Sequence, residues 1–370
     1  MNGPAEHPRY AVVVPTLGRP SLRRCLEALA AAPGPGPARL VLVHDRPGDG
    51  GNPPDLPVPE ALRPVTLVVP GRARGPAAAR NTGARRAGNV PWIVFLDDDV
   101  VPSETWRADL ARDLAAARAD TAAVTARIDV PLPGGRRPTD NERNTAGLAT
   151  ARWITADMAV RTEALDAADG FDERFHRAFR EDADLALRLL AGGWHLAEGS
   201  RRTTHPARAA DRWTSVRQQA GNADDVLMRR LHGPDWRASA AAPRGRLSRH
   251  RAVTAAGAAA LVCALTGHRA AALACALGWA AGTAEFTLIR VLPGPRTRQE
   301  ITDMILTSAV IPPAATWHWL RGLVLHRSVI PGRPARAPAR PPAADRAAGP
   351  AAPTGETRRT EGTAARQEAV

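Results

Sequence analysis

A chain of 370 residues is long enough for one large α/β core and an appendage, because single cores stop growing at about 250 to 300 residues. The formal net charge is +13 and all 50 Lys-plus-Arg positions are arginine, spread along an Ala-, Gly- and Pro-rich chain with one Tyr and five Phe; this looks like coding bias, lacks interleaved stacking platforms, and excludes nucleic acid as the expected partner. Cys25, Cys263 and Cys275 have neither metal-ligand spacing nor the even count of a disulfide framework, which suits a reducing, cytosolic compartment, and MNGPAEHPRY carries no basic segment followed by an apolar core, so no secretory signal is expected.

Residues 10–14 (YAVVV) and 39–43 (RLVLV) are short apolar runs, and between them Leu22, Cys25, Leu26 and Leu29 recur at helical spacing over 21–32. That is a β-α-β unit, and continuous apolar runs suit strands buried on both faces of a parallel sheet. Runs at 65–69 and 92–96 continue the series, with a helix over 76–87 between them. Pro102 and Ser103 open the next predicted helix, over 102–117, since the missing N–H of proline is not needed in a first turn. A strand over 122–128, a turn-rich flexible loop over 131–150 and a strand over 153–160 follow. A helix over 181–191 places Leu185, Leu189 and Leu190 inward. The alternating order predicts an open, mostly parallel sheet with helices on both faces.

Asp97, Asp98 and Asp99 stand directly after the run WIVFL. Three adjacent carboxylates at a strand end repel one another unless a cation sits among them, and hard divalent cations prefer such oxygen ligands. The carboxyl edge of an open α/β sheet is also where ligands bind. An acidic loop that caps the next helix is the other reading of these residues. Asp45, in VLVHDRPG, ends the second run and would stand near the same crevice, although an Asp there also forms turns. GPAAARNTG supplies Arg80 and Asn81; Arg80 would either offset donor phosphate charge or pair with Asp97 or Asp99. A second cluster, Glu181, Asp182 and Asp184, sits at a helix start, where the dipole favours ionised carboxylates. One of the Glu-Asp pair can serve as a general base, or the cluster is ordinary helix N-terminal charge.

The segments VVPTLGRP, VHDRPG, AARNTG, FLDDDVVP, WITADMAVR and GFDERFHRAFREDADLALRL, in this order, resemble the family 2 glycosyltransferases with the GT-A nucleotide-sugar-binding fold, over residues 10 to about 210. The resemblance implies that Pro15 and Thr16 border the nucleotide, that Asp45 contacts the base, and that Arg80, Asp97 and Asp98 lie at the donor. It makes Asp97 and Asp99 the Asp-x-Asp pair for Mn2+ or Mg2+, with Asp99 the direct ligand, and His205 in RRTTHPAR a further ligand. It makes Asp182 the catalytic base and Glu181 its acidic neighbour, and places Trp153, Thr155 and Asp157 on the acceptor side; His176 and His195 are read as structural. The family often has two adjacent acids at the second strand, whereas here the first is His44, which leaves the base identity open. The implied reaction is an inverting transfer of a sugar from a nucleoside-diphosphate sugar to an acceptor hydroxyl by one displacement. A two-carboxylate hydrolase scheme fits poorly, because one acidic cluster is needed for metal.

Composition divides the chain into a catalytic domain over 1–235, a helical and membrane-associated region over 236–330, and a Pro/Ala/Arg-rich tail over 331–370 expected to be disordered. Residues 229–251 carry seven arginines against one acid, and 252–289 are then almost uncharged. The first apolar stretch, 252–266, spans about 22 Å as a helix against a hydrocarbon core of ~30 Å, and the second, 270–289, contains Glu285. A helical hairpin buried against the catalytic domain is the alternative. The flanking arginines and Trp317 and Trp319 favour an anionic membrane surface at the cytoplasmic face, and with it a glycan or lipid-linked acceptor of cell-envelope synthesis. Competing readings are a nucleotidyltransferase, whose Gly-rich basic signature VVPTLGRPSLRRC matches poorly, and a non-catalytic membrane-associated sugar-nucleotide-binding protein.

Overall fold

The structure is a computed structural model, and it describes residues 7–46 and 55–330; the readings of the first six residues and of the 331–370 tail lie outside the described residues. The strands are β1 (Tyr10–Thr16), β2 (Arg39–His44), β3 (Thr66–Pro70), β4 (Trp92–Leu96), β5 (Val101–Pro102), β6 (Thr121–Asp129), β7 (Asp157–Arg161) and β8 (His195–Thr204). They form one sheet in the order β3-β2-β1-β4-β7-β6-β8-β5. The first four are parallel neighbours, as the continuous apolar runs predict. The other half is mixed: β7 runs antiparallel to β4 and β6, and β5 antiparallel to β8, while β6 and β8 are parallel. Because Leu96 pairs with Asp157, β7 starts at the edge where β4 ends, next to the three aspartates.

Helices α1 (Ser21–Ala31), α2 (Pro76–Arg86) and α3 (Trp106–Ala116) cover the sheet, and alternate strand residues sort to its two faces. Val12, Val14, Val94 and Leu96 pack with Leu22, Leu26, Trp106 and Leu110 on one side. Val13, Val43, Ile93 and Phe95 meet Ala77, Ala84, Leu185 and Leu189 on the other. Leu190, expected inward, is 39% exposed, since it faces away from Leu185 and Leu189. Pro102 does not open a helix either. It pairs with Thr203 on an edge strand, where a missing N–H is tolerated, and α3 starts four residues later.

The expected loop over 131–150 is half helical. It contains α4 (Asp140–Ala146), opened by a capping box in which the Thr139 hydroxyl accepts from the Glu142 amide while the Glu142 carboxylate accepts from the Thr139 amide. Then come α5 (Thr162–Ala167), α6 (Glu181–Ala191), α7 (Thr214–Arg217), α8 (Gly221–His232) and α9 (Trp236–Ser239). The C-terminal region is three long helices, α10 (Leu247–Leu265), α11 (Arg269–Val291) and α12 (Arg298–Leu325), the last continuous through Pro312 and Pro313. α12 seats on α8: a Cβ on Gly322 would fall 2.8 Å from the Ala223 Cα, and Met304, Ile311 and Ala315 are buried. The α10–α11 hairpin is different. Leu261, Leu265, Leu273 and Leu277 are each more than 60% exposed, and α11 is long and apolar enough to cross a membrane by length and composition.

Candidate active site

Buried β4 delivers three aspartates to the carboxyl edge of the sheet, and each has a different environment. Asp98 is 3% exposed; its Oδ2 accepts from the Thr16 hydroxyl at 2.7 Å and from the Leu17 amide at 3.4 Å, and its Oδ1 from Arg19 Nη1 at 3.4 Å. It therefore ties the loop after β1 to the end of β4. Asp97 is half-buried and accepts from Arg80 Nη2 at 2.8 Å. Asp99 is buried, yet neither of its carboxylate oxygens accepts a hydrogen bond; the Arg208 guanidinium lies against Oδ2 as an ion-pair partner, and His205 Nε2 stands 3.8 Å from Oδ1.

One ligand atom each from Asp97, Asp99 and His205 lies within 4.8 Å of the others. Two carboxylates and an imidazole, with the Asp99 oxygens buried and without a hydrogen-bond donor, fit a divalent cation of the Mn2+ or Mg2+ kind.

Arg80 is 1% exposed and bridges the two acidic clusters, with Nη1 on Glu181 Oε1 and Nη2 on Asp97 Oδ1, both at 2.8 Å. Burial works against its charge, but the Asp97 and Glu181 carboxylates outweigh burial and hold it firmly protonated. On the far side of the bridge α6 begins at Glu181. Its preceding residue, Arg180, is in the left-handed region at φ 78°, held by Asp225 at 2.9 Å and stacked over Trp236. Such backbone strain just before a site persists only where neighbours over-determine it. Burial pushes the Glu181 carboxyl up, and the Asp182 charge adds to that. Burial also raises Asp182, against the pull of the Ala183 amide, which donates to its Oδ1 at 2.7 Å, and of Arg80 and Arg180. A carboxyl raised in this way is a better proton acceptor than a free aspartate.

The sequence model of the family described as "Glycosyl transferase family 2" matches residues 11–172, which span β1 to the segment before α6. Over that stretch, a little under half of the chain, the protein is similar to glycosyl transferase family 2. No curated protein matches the chain. Among solved structures it is similar to a mannosyltransferase from Pyrobaculum calidifontis in complex with GDP-Man and Mn2+, at 17% identity and a TM-score of 0.44, covering 87% of each chain. It is also similar to GalNAc-T7 with UDP, GalNAc and Mn2+, at 17% identity and TM-score 0.42 over 55% of this chain and 44% of that one. A third likeness is to S. aureus TarS, at 15% identity and TM-score 0.36, over 61% and 41%. The chain thus spans less than half the length of the last two.

Several expected residues hold the acidic site together from behind. Both Nη atoms of Arg80 are taken by carboxylates, so of its two readings the pairing one is found. Asp45, 8% exposed, accepts on Oδ1 from the Arg72 amide at 3.0 Å and on Oδ2 from the Gly75 amide at 2.9 Å; it organises the loop that leads into α2. Gly75 has φ 91°, and a Cβ there would fall 2.3 Å from the His176 carbonyl oxygen, so that loop also grips the segment before α6. Pro15 is partly exposed and Thr16 buried, with the Thr16 hydroxyl spent on Asp98 and the Gly18 amide.

Asp157 is not on an acceptor surface. It is fully buried and accepts from Trp106 Nε1 at 2.6 Å, Arg201 Nε at 2.9 Å and the Thr203 hydroxyl at 2.5 Å, a core ion pair that pins β7 to β8 and α3. Thr155 is likewise buried, and Trp153 is partly so. Arg208 and Arg19, the cations against Asp98 and Asp99, had no signal in the sequence, because an arginine among 50 has no distinguishing pattern.

Proposed function

We propose that this protein is a glycosyltransferase that moves a sugar from a nucleoside-diphosphate sugar onto an acceptor hydroxyl with inversion, Asp182 acting as the base. The observation that carries the reading is the pairing, across buried Arg80, of a metal-competent Asp97–Asp99–His205 group with a proton-accepting Glu181–Asp182 pair.

Asp97, Asp99 and His205 would hold a divalent cation, which supplies neutralisation of the negative charge that develops on the departing diphosphate. Asp182 takes the proton of the acceptor hydroxyl onto its carboxylate as that oxygen bonds to the anomeric carbon. The bond from that carbon to the diphosphate breaks on the opposite face, and the anomeric configuration inverts. Arg80 keeps Glu181 and Asp97 at a fixed separation, and Asp98 holds Thr16 and Arg19 beside the donor crevice.

The acceptor is a glycan or lipid-linked molecule of the cell envelope, met at the cytoplasmic face of an anionic membrane. The exposed leucines of α10 and α11 and the arginines over 229–251 support that location.

The test is thermal stabilisation of the purified chain against nucleoside diphosphates and nucleotide sugars, with and without Mn2+ or Mg2+, beside Asp99→Ala. A ligand at a hundred times its dissociation constant adds about 2.7 kcal/mol. A metal-dependent shift with one nucleotide, lost in Asp99→Ala, is expected. Folded protein that responds to no nucleotide with metal present would overturn the reading.

A further inference from the structure

Between the segment that leads into α6 and the end of α12 lies a cavity of about 710 Å3 that shares no lining residue with the acidic site. Arg174, Arg177, Arg321, His176 and His326 stand in its walls. Arg174 is matched by Asp172, at 2.5 Å. Arg177 and Arg321 are not: neither makes a hydrogen bond or ion pair among the described residues. The one acid in the wall, Asp224, is 8% exposed, and its Oδ2 is buried without a hydrogen-bond partner.

The surrounding groups register an excess of positive charge. Burial and then the Arg174 charge, opposed by Asp172 and aided by His176 and Arg321, hold His326 below its ordinary value just past the end of α12, and burial with Arg177 and Arg321 does the same to His318 of α12. Burial pushes Asp224 up to about 7 against the Arg177, Arg180 and Arg321 charges, so it offsets only part of that charge at neutral pH. Two guanidinium forks with no carboxylate in ion-pair contact, and only Asp224 acting on them from farther off, are matched by the oxygens of a phosphate. A buried, unsatisfied carboxyl beside them is matched by a hydroxyl, and exposed Leu325 and Ile330 offer an apolar wall at the mouth.

We propose that this cavity is a phosphate-binding site, with the phosphate on Arg177 and Arg321, a neighbouring hydroxyl on Asp224, and any apolar part of the ligand along Leu325 and Ile330. A soluble phosphate ester and a lipid headgroup share this chemistry. The site stands whether or not Asp182 transfers a sugar.

The experiment uses the full chain in EDTA. Isothermal titration with inorganic phosphate and pyrophosphate forms one arm. Flotation with phosphatidylcholine vesicles, with and without phosphatidic acid, forms the other. Each is run on the wild type, on Arg177→Gln/Arg321→Gln, and on Arg118→Gln/Arg127→Gln, which removes the same charge from exposed arginines elsewhere. The expected result is binding weakened about tenfold or more by the cavity pair and changed less than about twofold by the control pair. Response to the soluble ions identifies a free phosphate compound; response only to phosphatidic acid identifies a headgroup. Equal losses in both double variants, or no binding in either arm, overturn the proposal. If the cavity pair does not fold, the two single variants are read in its place.

Discussion

Arg290 of α11 donates from Nη2 to Asp140 Oδ2 of α4 at 2.8 Å, across 150 residues of chain. Arg290 is 5% exposed, and its Nη1 also donates to the Thr307 and Ser308 hydroxyls of α12 while Nη2 reaches the Ser215 hydroxyl of α7. The boundary drawn by composition near residue 236 is therefore crossed by an ion pair whose arginine is buried. α4 and the 207–218 segment also line one cavity of about 490 Å3 with the start of α12, and Arg208 reaches from that cavity to Asp99.

Replacing Arg290 with leucine leaves Asp140, Thr307 and Ser308 short of their donor. The expected loss is about 2 to 4 kcal/mol in a denaturant titration. The midpoint should fall while the acidic site keeps its chemistry, so kcat at a permissive temperature changes less than stability does. An Arg290→Leu protein with unchanged stability would mean that α11 is not held to α4 in solution.

Arg80 sits between two carboxylates and is almost wholly enclosed, so Arg80→Ala leaves Glu181 and Asp97 facing each other without a counter-charge. Breaking a buried pair by removing one partner costs about 3 to 5 kcal/mol. Activity should fall along with stability. Arg80→Lys keeps the charge but cannot reach both acids with a planar fork, so it should recover stability only in part. Transfer kinetics and melting temperature, measured on both variants, separate these outcomes.

As the proposed base, Asp182 would have to be ionised to take a proton, and burial raises its carboxyl. The acid limb of kcat/KM should therefore lie above the ~3.9 of a free aspartate. The same shift has a sign for stability. The folded chain holds this proton more tightly than the unfolded chain, so stability falls as pH rises from the unfolded to the folded value. Asp182→Asn should thus remove transfer and, at pH 7, make the protein more stable than wild type. A pH profile of both rate and melting temperature checks the pair; an Asn variant that is less stable at neutral pH would contradict the burial argument.

Arg208 compensates Asp99 and lies 3.7 Å from Asp98. A divalent cation held by Asp97, Asp99 and His205 would compete with this guanidinium for the same negative charge. In Arg208→Gln the Mn2+-induced rise in melting temperature should be larger than in wild type, and the metal-free protein should melt lower. A smaller Mn2+ shift in the variant would show that Arg208 cooperates with the metal.

The parallel character of the first half of the sheet and the bounds of α6 were legible in the sequence because they follow from local periodicity, whereas the strand order β3-β2-β1-β4 was not. Apolar runs of five or six residues form strands buried on both faces wherever helices cover them. The three aspartates were legible for a related reason: like charges packed at the end of an apolar strand imply a cation whatever the rest of the chain does. The Thr139–Glu142 capping box was also written locally, in TDNE, inside a segment that its Pro and Gly content made look like a loop. What each carboxylate faces could be decided only by tertiary structure. Arg80 lies 101 residues from Glu181, and Asp157 lies 44 from Arg201. β8, whose buried Arg201 alternates with exposed neighbours in HLAEGSRRTT, reads as a polar stretch until β6 and Asp157 supply its partners. A charged side chain carries no mark of its partner in its own neighbourhood. The cost of burying it selects a partner from whatever the fold brings within reach, and so Asp157 became a core ion pair while Asp99 kept oxygens that no hydrogen-bond donor satisfies.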